Sequence, residues 1–212
     1  MRKKSKGASP RVRTFDVPVP QETSTPRERL ESRLGRSAAA RAAAQVARDL
    51  GVPQDTAPEV SAALALTRLG ADLGEVARSL KWDEFEDYCA MAISAAGYSV
   101  SRNVRLRKPT RQIDIVAESP TLVLSVDCKH WRRGAGARGL AEPALAQAER
   151  TKIYSQRLGN EGKAFLPVIL TMEDNFVRSV EGVPVVPLQA LKEFLASVNR
   201  FDDSFSFVRQ GS

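Results

Sequence analysis

Two carboxylates and a lysine stand out by type and spacing. Asp114 lies in the run Arg111–Glu118, and Asp127 and Lys129 lie in the run Leu122–His130. Both runs are short, rich in β-branched residues and bounded by turn residues, so both predict strands. Side chains alternate across a strand. Ile113 and Ile115 then face one side of the first run, and Gln112, Asp114 and Val116 the other. In the second run Leu124, Val126 and Cys128 share a face, opposite Ser125, Asp127 and Lys129. Asp114, Asp127 and Lys129 therefore converge on one side of neighbouring strands. Charges inside apolar strands are costly unless paired or bound to a cation. Three readings follow: a structural Asp–Lys ion pair, a sheet face open to water, or a centre where carboxylates hold a divalent cation and the lysine works on an anion.

The elements around these residues read as an α/β unit. Asp83 is the expected N-cap of a helix with Glu84 and Glu86 in its first turn. Phe85, Tyr88, Cys89, Ala92, Ile93 and Ala96 form its apolar face, and Gly97 stops it. Strands are expected over Tyr98–Arg107, Arg111–Glu118 and Leu122–His130, with turns at Lys108-Pro109-Thr110 and Ser119-Pro120. These short turns predict two successive antiparallel hairpins. A helix follows over Ala144–Leu158, whose small residues Ala144, Ala148, Thr151 and Ser155 would let it lie close on a sheet. Ala164–Met172 and Val183–Pro187 read as strands and Leu188–Val198 as a closing helix. The order is α-β-β-β-α-β-β-α, a mixed sheet flanked by helices.

Asp114, twelve residues, then Asp127-Cys128-Lys129 resembles the bipartite signature of the PD-(D/E)XK nuclease superfamily. Phe85-Glu86, followed by Ala90 and Ile93 and ending Gly97-Tyr98, resembles the entry helix of the Mrr-like restriction endonuclease domain. The resemblance spans Lys81 to Val198. It implies a restriction-endonuclease-like core and a metal-dependent DNA endonuclease that hydrolyses phosphodiester bonds. It implies Asp114, Asp127, the backbone carbonyl of Cys128 and Glu86 as ligands of Mg²⁺ or Mn²⁺, with the Cys128 thiol in the core. Lys129 would then orient or help deprotonate the attacking water and stabilise charge on the phosphate. Ile113 stands where the motif name has proline, and Asp127 is the shorter of its two acids. Glu84, on the other flank of the apolar face, competes with Glu86. A Holliday-junction-resolvase-like enzyme uses the same core, and a non-catalytic nucleic-acid-binding protein could retain it.

Other polar residues admit two readings each. Gln147, Lys152 and Tyr154 lie on the helix after the core, where related nucleases place an auxiliary polar group, or else simply face solvent. Gln112 and Ser125 share the expected active face. His130 should point to the opposite face as an ordinary strand-end residue, and Cys89 belongs in the core. Trp131, Arg132 and Arg133 before Gly134-Ala135-Gly136 form either a DNA-contacting loop or a plain surface loop.

The chain has 212 residues and a net charge of +7. The excess is local. Residues 1–30 carry eight basic and three acidic residues, and residues 102–138 carry nine and three. Arg102, Arg105, Arg107, Lys108, Arg111, Arg132 and Arg133 are the expected phosphate contacts, DNA the expected partner, and a homodimer a further expectation. Two cysteines and one histidine exclude a disulfide framework and an ordinary zinc site within one chain. No apolar run has the length of a membrane span, and no secretory signal is read, so the expected location is the cytoplasm. The expected layout is a basic disordered tail over 1–27, then a helical segment over 28–80. The nuclease domain covers 81–200 and a C-terminal tail 201–212. Within 28–80, helices are expected at Glu31–Leu50, Pro58–Leu69 and Leu73–Leu80, as a helix-turn-helix, a packing element or a dimerisation element.

Overall fold

A computed structural model describes residues 45–46, 49, 56–107, 110–130, 136–158, 162–174, 176–198, 205 and 207–208. The expected tail 1–27 and most of the expected helix Glu31–Leu50 lie outside these residues; Gln45, Val46 and Asp49 are helical. Helices α1 (Pro58–Arg68) and α2 (Leu73–Ser79) stand where the sequence places them. Pro58 opens α1, where its missing N–H costs nothing. Asp72 caps α2 by accepting from the Glu75 N–H at 2.8 Å.

Helix α3 (Trp82–Ala95) begins two residues earlier than expected, with Lys81 rather than Asp83 as its cap residue. Glu84 decides this. Its carboxylate accepts from the Lys81 backbone N–H at 2.8 Å and so satisfies a group the helix leaves open. Gly97 ends the helix at φ +94, a left-handed conformation that glycine adopts without a Cβ penalty.

Strands β1 (Ser99–Leu106), β2 (Arg111–Glu118) and β3 (Leu122–Lys129) form the two expected antiparallel hairpins. Helix α4 (Ala137–Leu158) crosses over to β4 (Ala164–Thr171), which is parallel to β3. The helix starts seven residues before the expected Ala144 and carries Pro143 inside it. Proline normally marks a helix start. Here Leu140, buried against Ile169, Val183 and Val185, holds the extra turns onto the sheet. A two-residue strand β5 (Ser179–Val180), which the sequence did not announce, pairs with β6 (Val183–Pro187). A 3-10 turn (Leu188–Ala190) and α5 (Leu191–Ser197) close the chain where one helix was expected. Val208 lies within the expected C-terminal tail, yet it exchanges backbone hydrogen bonds with Phe165 of β4 at 2.8 and 3.1 Å.

The sheet order is β1-β2-β3-β4-β6-β5. One face carries Ile115, Leu124, Val126, Cys128, Leu166 and Leu170 against Phe85, Tyr88, Cys89 and Ile93 of α3. Val60, Ala63 and Leu64 of α1 and Val76 and Ala77 of α2 belong to the same cluster. The other face packs under α4, where Gln147, Thr151, Ala144 and Ser155 are buried. Among the described residues, no helix is long and apolar enough to cross a membrane.

Candidate active site

Four acidic side chains are buried among the described residues: Glu84, Glu86, Asp114 and Asp127. Glu84 is used by its helix cap. The other three belong to α3, β2 and β3, and all gather at the end of the sheet where β3 finishes in Lys129. Strand β4 ends beside it, with Thr171 in register with Lys129.

Asp114 is fixed by the backbone. Its Oδ2 accepts from the Cys128 N–H at 2.9 Å. This bond joins β2 to β3 just beyond Ile115 and Val126, where their paired register ends. Asp114 also lies at a break toward β1. The β1–β2 register passes from Arg102 and Ile115 to Val104 and Ile113, omitting Asn103 and Asp114, and Asn103 sits at φ +51. The break also corrects the expected alternation. Ile113 packs with Val116 in the α4-side cluster, while Ile115 packs on the α3 side. A strict two-residue period cannot survive a distorted residue between them. Gln112, expected on the active face, is exposed and donates to Asn103 at 2.8 Å.

Asp127 is held from two directions. Arg150 of α4 donates to its Oδ1 at 2.8 Å, and the Lys129 ammonium stands 2.7 Å from its Oδ2. Arg150 also donates to the Gln147 side-chain oxygen at 2.7 Å. Gln147 in turn donates to the Ser125 carbonyl at 2.7 Å and to its hydroxyl at 2.9 Å. The chain Ser125–Gln147–Arg150–Asp127 therefore locks α4 to β3. Of the residues expected on this helix, Gln147 joins the site, Lys152 is exposed, and Tyr154 packs edge-on against Phe165 at 6.2 Å. Arg150 was missed. Its signal was the i, i+3 spacing from Gln147, which places two polar groups on one helical face.

Glu86 reaches the site from the α3 face. Burial pushes its carboxyl up to about 7, and the negative charge of Asp114 adds to this; Asp127 adds less. Burial likewise raises Asp114, against the lowering effect of the Cys128 N–H bond. The Cys128 thiol points into the core, raised well above the usual range by its hydrogen bond to Cys89 and then by burial. His130 faces away, as expected. Its Nε2 lies 3.2 Å from the Ala77 carbonyl, and its ring stands 5.2 Å from that of Phe85.

Among the described residues, no three His, Cys, Asp or Glu side chains are grouped so as to hold one ion. Mg²⁺ asks for less, since it commonly takes one or two carboxylates together with waters and phosphate oxygens. The donor set here is all oxygen. Asp127 Oδ2 is buried and accepts no well-directed hydrogen bond, despite the nearby lysine charge. Glu86 and Asp114 also repel one another, which a cation would relieve. These residues fit a hard divalent cation.

The expected phosphate contacts are partly placed. Arg105, Arg107 and Arg111 are exposed on β1 and β2, at their ends and the turn between them. Arg102 is ion-paired with Asp87 of α3. Lys108, Trp131, Arg132 and Arg133 lie outside the described residues.

Residues 77–154 match the Mrr catalytic domain family, described as a restriction endonuclease. That segment contains Glu86, Asp114, Asp127, Lys129, Gln147 and Arg150. An uncharacterized protein of Archaeoglobus fulgidus is 26% identical over 132 residues, which is 61% of this chain and the whole of that protein.

Proposed function

We propose, from the match of residues 77–154 to the Mrr restriction endonuclease family, that this protein is a metal-dependent DNA endonuclease of the PD-(D/E)XK superfamily. The observation that carries the reading is that three buried carboxylates, Glu86, Asp114 and Asp127, lie near enough to repel one another, with Lys129 paired to Asp127 at the end of β3. A fold alone would not support an activity.

In this reading Asp114 and Asp127 would hold the Mg²⁺ or Mn²⁺ together with the Cys128 carbonyl, and Glu86 would reach it through a water. When bound, the ion lowers the pKa of a water and neutralises charge building on the phosphate. The chain's own groups do the rest. The Cys128 N–H keeps Asp114 aimed, and Arg150 keeps Asp127 aimed from the far side. Lys129 supplies a positive charge beside Asp127, where it orients the attacking water and stabilises the developing phosphate oxyanion. Arg105, Arg107 and Arg111 bind the DNA backbone, which positions the duplex without reading its sequence. A dimer would bring two such sites to one target.

The test is cleavage of linear duplex, supercoiled plasmid, flap and four-way-junction DNA in Mg²⁺, Mn²⁺ or EDTA. Lys129→Ala is run alongside. The expected outcome is metal-dependent cutting that falls by at least ~10²-fold in the variant, the order of loss for removing one transition-state charge. The preferred substrate then separates a restriction-like from a junction-resolving role. Binding without cutting, equal in both proteins, would make this a non-catalytic DNA-binding protein.

A further inference from the structure

Five large apolar side chains are exposed among the described residues: Leu69, Trp82, Leu145, Leu158 and Phe176. Phe176 is the most exposed, at 86%. Its place in the fold is specific. Strand β4 ends at Thr171, in register with Lys129, and the Met172 N–H donates to the Lys129 carbonyl at 3.1 Å. The connection that carries Phe176 thus leaves the sheet directly beside the lysine of the site.

Phe176 also sits at φ +59, a left-handed conformation that a bulky side chain rarely adopts. A cluster around Asp174 holds it there. Asp174 accepts from the Phe176 N–H at 2.8 Å, from two Arg178 nitrogens at 2.9 and 3.2 Å, and from Gln189 at 3.4 Å. The backbone is therefore fixed in an unfavourable conformation, with a large apolar ring left in water. Neither feature serves the core.

A second exposed aromatic stands at the same end. Trp82 is 56% exposed and lies one helical turn before Glu86 on α3. Four residues before it, Arg78 is ion-paired at 2.8 Å with Glu173, in the connection that carries Phe176. The connection that carries Phe176 and the start of α3 thus both lie at the end of the sheet where β3 finishes in Lys129.

We propose that Phe176 is a substrate-contacting residue whose ring stacks on a nucleobase next to the phosphate held at Lys129. The inference rests on the nuclease reading and names its substrate class. An aromatic ring stacks on a base only where the base face is open. Apolar side chains can also wedge between base pairs and kink the duplex. The substrate is therefore DNA with an unstacked step at the cut, as in a flap or a junction arm, with continuous linear duplex a poorer one. Trp82 offers a second stacking surface on the α3 side.

The test uses the full chain and flap, four-way-junction and linear duplex DNA carrying 2-aminopurine at successive positions around the cut. Binding is read by fluorescence in Ca²⁺, and cleavage in Mg²⁺. The wild-type protein is expected to change the fluorescence at one position beside the cut, more on flap or junction than on duplex. Phe176→Ala is expected to lose that change. It should also raise KM on the preferred DNA about tenfold, the scale of one base–aromatic stack. With kcat unchanged within about twofold, the loss is one of binding. Phe176→Trp should restore both signals. Should wild-type protein bind and cut while Phe176→Ala gives the same fluorescence pattern and KM, this inference falls and the nuclease reading stands. Wild-type protein that neither binds nor cuts any of these DNAs would overturn both.

Discussion

Glu86 differs from the other site residues in how it is stabilised. Asp114 has a backbone N–H and Asp127 has two cations, whereas burial and Asp114 both disfavour a charge on Glu86. The consequence for stability has a definite sign. Its carboxyl titrates near 7 in the folded protein against an ordinary 4.5, so the native state binds more protons between those values. Unfolding free energy must then fall as pH rises through this window in metal-free protein. Glu86→Gln should flatten that slope, leaving the part due to Asp114 and Asp87, which burial also raises. In urea denaturation with EDTA, the variant should match wild type near pH 4.5 and exceed it above pH 7.5, by about 1–3 kcal/mol. A wild-type midpoint that does not fall across the window would place the group elsewhere. Added Mg²⁺ should shrink the difference, because a bound cation stabilises the ionised carboxyl only where one is present. At this scale Asp114, Asp127 and Lys129 stood out as candidates because charges are unusual in the apolar strands holding them, whereas Glu86, among four acids at the start of α3, was singled out only by the family resemblance. Arg150 did not stand out. A basic residue on a helix surface is ordinary, and only the fold shows that its guanidinium lies between Gln147 and Asp127.

At the scale of elements, the order and kind of every strand and helix from Trp82 to Ser197 followed from periodicity and turn residues, apart from the two-residue β5. What the sequence obscured was local geometry fixed by tertiary contacts. The break at Asp114 leaves no mark in the run Arg111–Glu118, whose residues alternate in type as if the strand were regular. On the other edge of β2 the paired register with β3 ends at Ile115 and Val126, and the Asp114 carboxylate takes the Cys128 N–H beyond it. The early start of α4 was hidden by Pro143, because a proline reads as a boundary when nothing is known of what Leu140 packs against. Helix α4 in turn positions the site through Gln147, which is fully buried. Gln147→Ala would leave the Ser125 hydroxyl and one Arg150 donor without this partner, in a place water reaches poorly. The expected cost is about 1–3 kcal/mol, the range for unmade buried hydrogen bonds. Cleavage should fall as well, because Arg150 loses one of the two acceptors that fix it. Thermal unfolding beside a cleavage assay checks both, and an unchanged melting temperature would remove Gln147 from the supporting network.

Over the whole molecule, the same end of the sheet receives contacts from parts of the chain far apart in sequence. Helix α2 reaches it through the Ala77 carbonyl on His130 and through Arg78 on Glu173, while the β1–β2 hairpin brings exposed arginines. Helices α1 and α2 share one apolar cluster with α3 and the sheet, which gives the segment before Lys81 a bracing role in the fold. The chain carries a net charge of +7, while three acids are buried at the site and Arg105, Arg107 and Arg111 are exposed. Binding should therefore divide into two terms. The arginines contribute a salt-dependent attraction to phosphates, and the site contributes chemistry at one of them. Each phosphate neutralised on duplex DNA adds about −0.9 to the slope of log K against log salt. Replacing Arg105 and Arg111 together by alanine should flatten that slope by about 2 and weaken binding uniformly across DNA sequences. At saturating DNA the cleavage rate should stay near wild type, because neither side chain lies among Asp114, Asp127 and Lys129. Equilibrium binding over a salt series in Ca²⁺ measures the first term and single-turnover cleavage the second. An unchanged slope would take this hairpin out of the DNA interface. A lost single-turnover rate would instead move it into the site.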